Sequence, residues 1–303
     1  MNLNLMKRKV TTLISTGAIL AMAATISASA AEDDPPLALA RDGFFYVGGK
    51  NTTINGHTYV VGQMYVEMRI PAKQTHRFPI IMVHGGTRTG TTYTGTPDGR
   101  ESWAQYFARR GYAVYVVDQP GRGRSGYLTE AYGPQNLADG ESGQRRYLQQ
   151  EKFKLWPQAD LHTQWPGNGA PDWFKEGAVA LPYGVSAVPL TYAPAVKDAS
   201  ELSFVKEAKA DAPDLVTCWK QAEPARQLTK LKMPIMVLTS EASYHAPYDH
   251  CTVKFLEQAG VRPSFIRLAD LGIKGNSHVL MLEKNNKDIA SVIAGWLDKT
   301  FKE

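Results

Sequence analysis

The sequence predicts an α/β fold, and two kinds of segment carry this prediction. Short apolar runs such as Ile80–Val83 and Ala113–Val117 are typical of strands buried in a parallel sheet. Between them, Trp103 and Phe107 lie one helical turn apart, and Gly111 ends the helix. Strands that alternate with helices in this way predict a mostly parallel central sheet with right-handed crossovers.

An antiparallel hairpin is expected ahead of this alternation. Phe44–Val47 indicates a short strand, and Asn55 followed by Gly56 is a signal for a tight turn. After the turn, residues 64–70 alternate between apolar and polar side chains, which is typical of a half-buried strand.

The C-terminal part returns to strands and helices in alternation. We expect buried strands at Pro234–Thr239 and Phe265–Leu268, with a helix over about residues 249–259 between them. The last helix has a single apolar stripe, which predicts that it packs on the sheet. The stripe consists of Ile289, Val292, Ile293, Trp296 and Leu297.

The middle of the chain departs from this pattern. Over about residues 119–200, aromatic residues are interleaved with proline and glycine, which predicts an irregular cap inserted into the domain. A helix is expected further on, from about Asp214 to Leu228.

Residues 1–30 are expected to be a signal peptide. Lys7, Arg8 and Lys9 precede an apolar stretch from Val10 to about residue 26, and Ala28-Ser29-Ala30 fits a cleavage site. An uncleaved membrane anchor is the alternative. With the leader removed, residues 31–303 have the length of one α/β domain with a cap, with no stable membrane insertion.

Charge and cysteine content narrow the function classes. The formal charge of +5 loses three positive charges with the leader, which leaves +2, and no basic stripe with interleaved aromatics predicts nucleic-acid binding. An exported chain with two cysteines is expected to form one disulfide, Cys218 with Cys251, and the alternative is two buried thiols. No metal-ligand spacing is present in the sequence, so we expect neither a metal nor a cofactor.

The segment after the Ile80–Val83 strand is a candidate oxyanion hole. Acyl transfer needs backbone N–H groups aimed at the developing negative charge, and Gly85 and Gly86 let the chain turn tightly after His84. An ordinary strand-to-helix turn is the alternative.

A general base and a candidate acid follow near the C-terminus. His278 lies in a loop rich in glycine and asparagine after the last strand, from which a histidine can reach a nucleophile at the carboxyl edge of the sheet. Glu241 follows the Thr239 strand and is a weak candidate for the acid, with Asp249 and Asp270 as competitors.

The nucleophile is unknown from the sequence. A serine in a strand–turn–helix elbow with the pattern G-x-S-x-G is expected, and no such segment is present. Ser125 fits a turn or helix cap better than a nucleophile, and Ser186 follows Gly184 without the closing glycine.

Taken together, these segments resemble the α/β-hydrolase superfamily, and within it an exported bacterial esterase group. The similarity lies in His84-Gly85-Gly86, in the turn Asp118–Ser125 and in the stretch Lys274–Met281 that contains His278. It also includes Thr96–Arg100 and Glu241–Cys251, and it spans most of residues 42–300. The resemblance implies an α/β-hydrolase fold, hydrolysis of carboxylic esters and His278 as the catalytic histidine.

One part of the family pattern is missing. The group carries its nucleophile in a T-H-S-Q-x-G elbow and its acid in a later E-P segment, and the likeness is interrupted near Trp173 and Phe174. At about 30 residues per βα unit, two or three missing units correspond to roughly 60 to 90 residues. The sequence therefore predicts a sheet without its central strands, either because the chain is an internally deleted member of the group or because its gene model is faulty.

Two functions follow as hypotheses. The first is an exported esterase, periplasmic or secreted, that acts on small-molecule esters. The second is an inactive, internally deleted relative or a binding module without chemistry. The sequence gives no oligomeric state.

Overall fold

The computed structural model describes residues 36–86, 88–135, 139–167, 192–196 and 199–302. All of them belong to one unit of the chain, Asp34–Glu303. The expected signal peptide and Ser186 lie outside the described residues, as do Trp173 and Phe174.

A long antiparallel hairpin opens the described part. Strand β1 (Leu39–Ile54) pairs with β2 (His57–Pro71), from Ile54 opposite His57 to Leu39 opposite Pro71. Asn55 and Gly56 have φ angles of 51° and 80°, the left-handed region that a two-residue turn of this kind requires. The expected hairpin and its turn are thus confirmed, and the strands extend well beyond the predicted segments.

The hairpin continues into a four-stranded sheet. Strand β3 (Ile80–Val83) lies parallel to β4 (Val114–Asp118), and β4 lies antiparallel to β2, which gives the order β1-β2-β4-β3. Helices α1 (Thr91–Thr94) and α2 (Trp103–Arg109) connect β3 to β4. The Ser102 side chain caps α2 by accepting the Gln105 N–H, and the Gln105 side chain accepts the Ser102 N–H in return. Together the two bonds form a capping box.

The main core lies between this sheet, α2 and the last helix, α7 (Asn286–Thr300). Phe107 and Ile289 are almost fully buried in it, and burying each such side chain contributes roughly 1.5–3 kcal/mol. The Trp103 indole N–H also donates to the carbonyl of Asn286 at 2.9 Å. The last helix therefore closes the fold against the first βαβ unit, as its apolar stripe predicted.

A separate parallel pair forms from the C-terminal strands. Strand β7 (Met236–Thr239) pairs with β8 (Ser264–Arg267), and α6 (Asp249–Gln258) connects them. This pair has no hydrogen-bonded connection to the four-stranded sheet in the described part of the chain. The expectation of a mostly parallel sheet is not met there: two four-residue parallel ladders stand beside a much longer antiparallel hairpin.

The edge of β3 is open where further strands were expected to be missing. Among the residues described, β3 pairs only with β4, and β7 pairs only with β8. Met82 points into the core, but Ile81 and Val83 on the other face of β3 are 61% and 53% exposed. Apolar side chains on a strand of a parallel sheet are normally covered, so their exposure fits a sheet that lacks central elements.

The expected cap region is irregular in its described residues. It contains the short helices α3 (Thr129–Tyr132), α4 (Gly140–Gly143) and α5 (Gln150–Phe153), with a π-helical turn at Gln144–Leu148. No helix among the described residues is both long and apolar enough to span a bilayer.

The helix expected over residues 214–228 is wrong. That segment contains strand β6 (Trp219–Gln221), which pairs with β5 (Phe204–Lys206), and irregular backbone follows it. Tertiary bonds override the local helical preference there: Gln221 exchanges hydrogen bonds with Gln258 of α6, and Cys218 is tied to Cys251.

The expected disulfide is present. Cys218 and Cys251 are bonded, 33 residues apart in sequence, and the link joins the segment before β6 to the first turn of α6. Closing a loop of this length restricts the unfolded chain and stabilises the fold by about 3–4 kcal/mol in the chain-entropy account.

We expect the double variant Cys218→Ser/Cys251→Ser to lose about 3–4 kcal/mol of unfolding free energy, because its unfolded chain is freer. Urea unfolding followed by circular dichroism measures this loss. Dithiothreitol should produce the same loss in the wild type and none in the double variant. A loss below about 1 kcal/mol would show that the link contributes little to stability.

Candidate active site

The His278 ring is held by its neighbours on one side and is open on the other. Its Nδ1 lies 3.2 Å from the hydroxyl of Ser243, and its ring stacks on His245 with the centroids 4.3 Å apart. Tyr244 packs on the ring at 4.7 Å. No hydrogen bond reaches Nε2 from any described residue, so this nitrogen is the one available to a nucleophile.

Residues 240–242, which follow β7, are hydrogen-bonded to the loop that carries His278. Ser240 donates its hydroxyl to the carbonyl of Ser277 at 2.6 Å, and the Ala242 N–H donates to the carbonyl of Asn276 at 2.9 Å. The carboxylate of Glu241 accepts the Gly275 N–H at 3.0 Å. The structure thus places Glu241 against the backbone of the loop, while Ser243 occupies Nδ1 of His278.

Gly275 is required by this close approach. Its φ of +75° favours glycine, and a Cβ there would lie 2.0 Å from the Thr163 hydroxyl. The glycine therefore lets the loop pass directly over the segment at residues 161–163.

A fully buried carboxylate, Glu283, holds the loop from the other side. It accepts the Ser277 N–H at 2.9 Å and the Asn276 side-chain amide at 2.8 Å. It also faces Nε2 of His162 at 2.9 Å, while Nδ1 of His162 faces Glu151 at 3.2 Å. The His162 ring thus lies between two carboxylates. Glu283 and His162 were not predicted as site residues, because no motif in the sequence marks them.

A second histidine–carboxylate pair lies behind His278. His245 Nδ1 is 3.0 Å from one oxygen of Asp249, and the other oxygen binds the Thr239 hydroxyl. Asp249, a predicted competitor for the acid, is thus bonded to the histidine stacked on His278 and not to His278 itself.

Burial keeps the His278 ring neutral near pH 7. Burial, and after it the nearby charges of His245 and Arg88, together lower the pKa of His278 to about 4 against the attraction of Asp249. A serine on Nδ1 adds no negative charge, so no described residue that is hydrogen-bonded to the ring stabilises its protonated form. His278 is consequently a neutral but weak base.

The candidate oxyanion loop is fixed by His84. The Gln119 N–H donates to Nε2 of His84 at 3.1 Å, so Nδ1 carries the proton and donates to the carbonyl of Gly85 at 2.9 Å. Burial lowers the pKa of His84, which keeps this neutral tautomer. Gly85 and Gly86 are exposed, and no described group binds their N–H groups. These amides are therefore available to a substrate oxygen.

Asp118 fixes the same loop from β4. Its buried carboxylate accepts the Gly90 N–H at 2.7 Å and both the backbone and the side chain of Arg124. Burial alone would raise the pKa of Asp118, but these hydrogen bonds hold it below its usual value. Ser125 is buried, binds the Asp118 carbonyl and accepts the Tyr65 N–H at 2.8 Å, which is a structural role.

The structure gives a role to the segment Thr96–Arg100, which the sequence analysis noted only as part of the family resemblance. Arg100 carries this role. Its guanidinium donates to the carbonyls of Leu282, Glu283 and Lys284. It thereby fixes the backbone on either side of Glu283, at the start of α7.

One possible metal cluster carries no metal chemistry. Cys218, Cys251 and His250 lie together in the described part of the chain, but the two sulfurs are bonded to each other and offer no thiolate. His250 is directed at the Val216 carbonyl at 3.2 Å.

Comparison with known proteins assigns the chain to hydrolases of the esterase and lipase type. The chain is 32% identical to a protein described as "Probable secreted lipase phiG" from Fungal sp. (strain ATCC 74256), over 84% of this chain and 89% of that one. This chain belongs to the family of that lipase.

A solved structure supports the same assignment. The chain superposes on a structure described as a novel bacterial esterase with a TM-score of 0.62 and 25% identity, over 88% of this chain and 98% of that one. No model of a protein family matches the chain.

The match to the lipase also bears on the open sheet. It extends over 342 residues, although 84% of the 303-residue chain is only about 255 residues. About 87 positions of the match therefore have no counterpart in this chain, close to the expected 60 to 90 residues.

We expect Glu283→Gln to lose about 2–4 kcal/mol of unfolding free energy, because it removes the buried charge and turns an amide toward N–H donors. Urea unfolding measures the loss. Glu241→Gln is the matched control: it is half-buried with one bond to Gly275 and should lose less than about 1 kcal/mol. Equal losses in the two variants would contradict the special role of Glu283.

We expect His278 to titrate near pH 4 in a nuclear magnetic resonance titration. Because its pKa is below the unfolded value of about 6.5, its contribution to stability is complete above pH 6.5 and is lost as the pH falls toward 4. The unfolding free energies of the wild type and His278→Gln are compared as a function of pH. The pKa of His84 is also lowered by burial, but His84 is present in both proteins, so the difference isolates the contribution of His278.

Ser243→Asp serves as the second arm of this experiment. A carboxylate on Nδ1 should raise the pKa of His278 by about one unit or more. A wild-type pKa near 6.5 would contradict a buried, weakly basic ring.

Proposed function

We propose that this chain is an exported serine-type hydrolase of small carboxylic esters, with His278 as general base and the N–H groups of Gly85 and Gly86 as the oxyanion hole. The observation that carries the proposal is the state of His278. It is neutral, held on Nδ1 by Ser243 and open at Nε2, on a loop braced by Glu241 and by Glu283.

In this proposal Nε2 takes the proton of a serine hydroxyl as the oxygen attacks the ester carbonyl, and returns it to the leaving alcohol. Nδ1–H then points to Ser243, whose oxygen can accept it. Ser243 is buried and accepts the His245 N–H at 3.0 Å, so it suits an orienting role and not attack. No serine among the described residues is hydrogen-bonded to Nε2 of His278, so the attacking serine is left unassigned.

Export rests on the sequence of residues 1–30 and on the relative described as secreted. A cleaved leader followed by one hydrolase domain over residues 31–303 accounts for both. The disulfide supports an oxidising destination, because such bonds persist outside the cytosol.

A second reading is an inactive relative that keeps the scaffold. The open edge of β3, with exposed Ile81 and Val83, and the positions missing from the match to the lipase both favour it. In such a chain His278 and the oxyanion loop persist without a nucleophile between them.

We expect a fluorophosphonate probe to label one serine of the folded protein, and His278→Ala to slow the labelling by about 10²- to 10⁴-fold, because the general base is lost. Mass spectrometry locates the labelled residue. His57→Gln, at the exposed tip of the β1–β2 hairpin, is the control histidine variant and should label at the wild-type rate.

The serine variants separate the remaining assignments. Ser186→Ala should abolish the label if that residue attacks, whereas Ser243→Ala should slow labelling without moving it. A protein that is folded by near-ultraviolet circular dichroism and takes no label would establish the inactive reading.

A further inference from the structure

Arg88 is a positive charge without a negative partner among the described residues, and its charge acts on His278. Its guanidinium lies over the ring of Tyr147, 4.7 Å from the ring centre, and the same ring stacks near His278 at 6.3 Å. The side chain is half-buried, and the described groups that act on its charge are the tyrosines Tyr147, Tyr244 and Tyr93, with no carboxylate or hydrogen-bond acceptor among them. An arginine carries five N–H donors, and none of those of Arg88 is bonded to a described residue.

The backbone that follows Arg88 is closely packed. Thr89 and Gly90 are buried, and the Gly90 N–H binds Asp118. A Cβ on Gly90 would lie 2.8 Å from Val116, so the chain is packed closely there. Arg88 therefore immediately precedes a packed and hydrogen-bonded segment, and it lies two residues after Gly86 of the candidate oxyanion hole in the sequence.

The carboxylates of the site are already engaged. Asp249 binds His245 and Thr239, Glu241 binds Gly275, and Glu151 faces His162. Arg146 adds a second guanidinium, 5.8 Å from the centre of the Tyr244 ring. The region in front of His278 is therefore electropositive, and its acids are directed elsewhere.

We propose that Arg88 binds a free carboxylate of the substrate, so that the chain prefers esters whose acyl part carries a carboxylate away from the scissile bond. This rests on the proposed function and names its substrate class. A planar guanidinium matches a carboxylate with two parallel N–H donors, and the tyrosine rings that surround it cover the apolar chain between the two groups. The carboxylate is bound and does not react.

The test compares two esters that differ only in this group, 4-nitrophenyl hydrogen adipate and 4-nitrophenyl hexanoate. We expect the wild type to prefer the adipate. Arg88→Gln should lower kcat/KM for the adipate by about 10- to 100-fold and change the hexanoate by less than about 3-fold. The kcat/KM of Arg88→Lys for the adipate should lie between those of the wild type and Arg88→Gln, because lysine keeps the charge but not the planar pair of donors.

Arg262→Gln, which alters an exposed arginine, is the control and should leave both esters unchanged. An equal loss for both esters in Arg88→Gln would mean that Arg88 only packs on Tyr147, and would overturn the proposal. A wild type without preference for the adipate would also overturn it.

Binding separates this proposal from the failure of esterase activity. Calorimetry with N-methyladipamic acid, an amide that replaces the ester, should show binding to the wild type and none to Arg88→Gln, with N-methylhexanamide as the uncharged control. If neither ester is hydrolysed but this acid binds through Arg88, the proposed function fails and the anion site stands. If the acid does not bind, the anion site is overturned.

Discussion

The site depends on one buried carboxylate. Glu283 is fully enclosed, and its oxygens are shared among the Ser277 backbone, the Asn276 side chain and His162. A buried charge is tolerated only when its hydrogen bonds are satisfied, so each of these donors is fixed by the same requirement. Since Ser277 immediately precedes His278, the position of this histidine depends on the hydrogen bonds of a carboxylate five residues later.

Asp118 is the corresponding buried carboxylate near the candidate oxyanion loop. It fixes Gly90 and Arg124, and through Gly90 it holds the segment that carries Gly86 and Arg88. Both carboxylates are almost completely buried and are compensated by local donors. The two halves of the candidate site are thus each stabilised within their own part of the chain. This explains how both persist although no strand in the described part of the chain joins β3 to β7.

Local pattern was enough for most of the fold. The Asn55–Gly56 turn, the β3 and β7 strands and the apolar stripe of the last helix each depend on neighbours in sequence, and each is confirmed. Features set by distant contacts were not predictable. The segment at residues 214–228 has helical composition but is held by Cys251 and Gln258, and Glu283 acquires its role only when His162 and Ser277 meet it. In the same way, the sequence favoured Glu241 beside His278, where the structure has Ser243 on Nδ1.

The low pKa of His278 is linked to the charge of Arg88. The guanidinium is among the groups that depress the pKa of His278, and Ser243 supplies no negative charge to offset it. A substrate carboxylate bound to Arg88 would cancel that charge and bring a negative group close to the ring. Both changes favour the protonated ring, so the base would gain strength when such a substrate is bound. An uncharged ester would leave His278 in its weak state, and the selectivity would then be expressed in the chemical step as well as in binding.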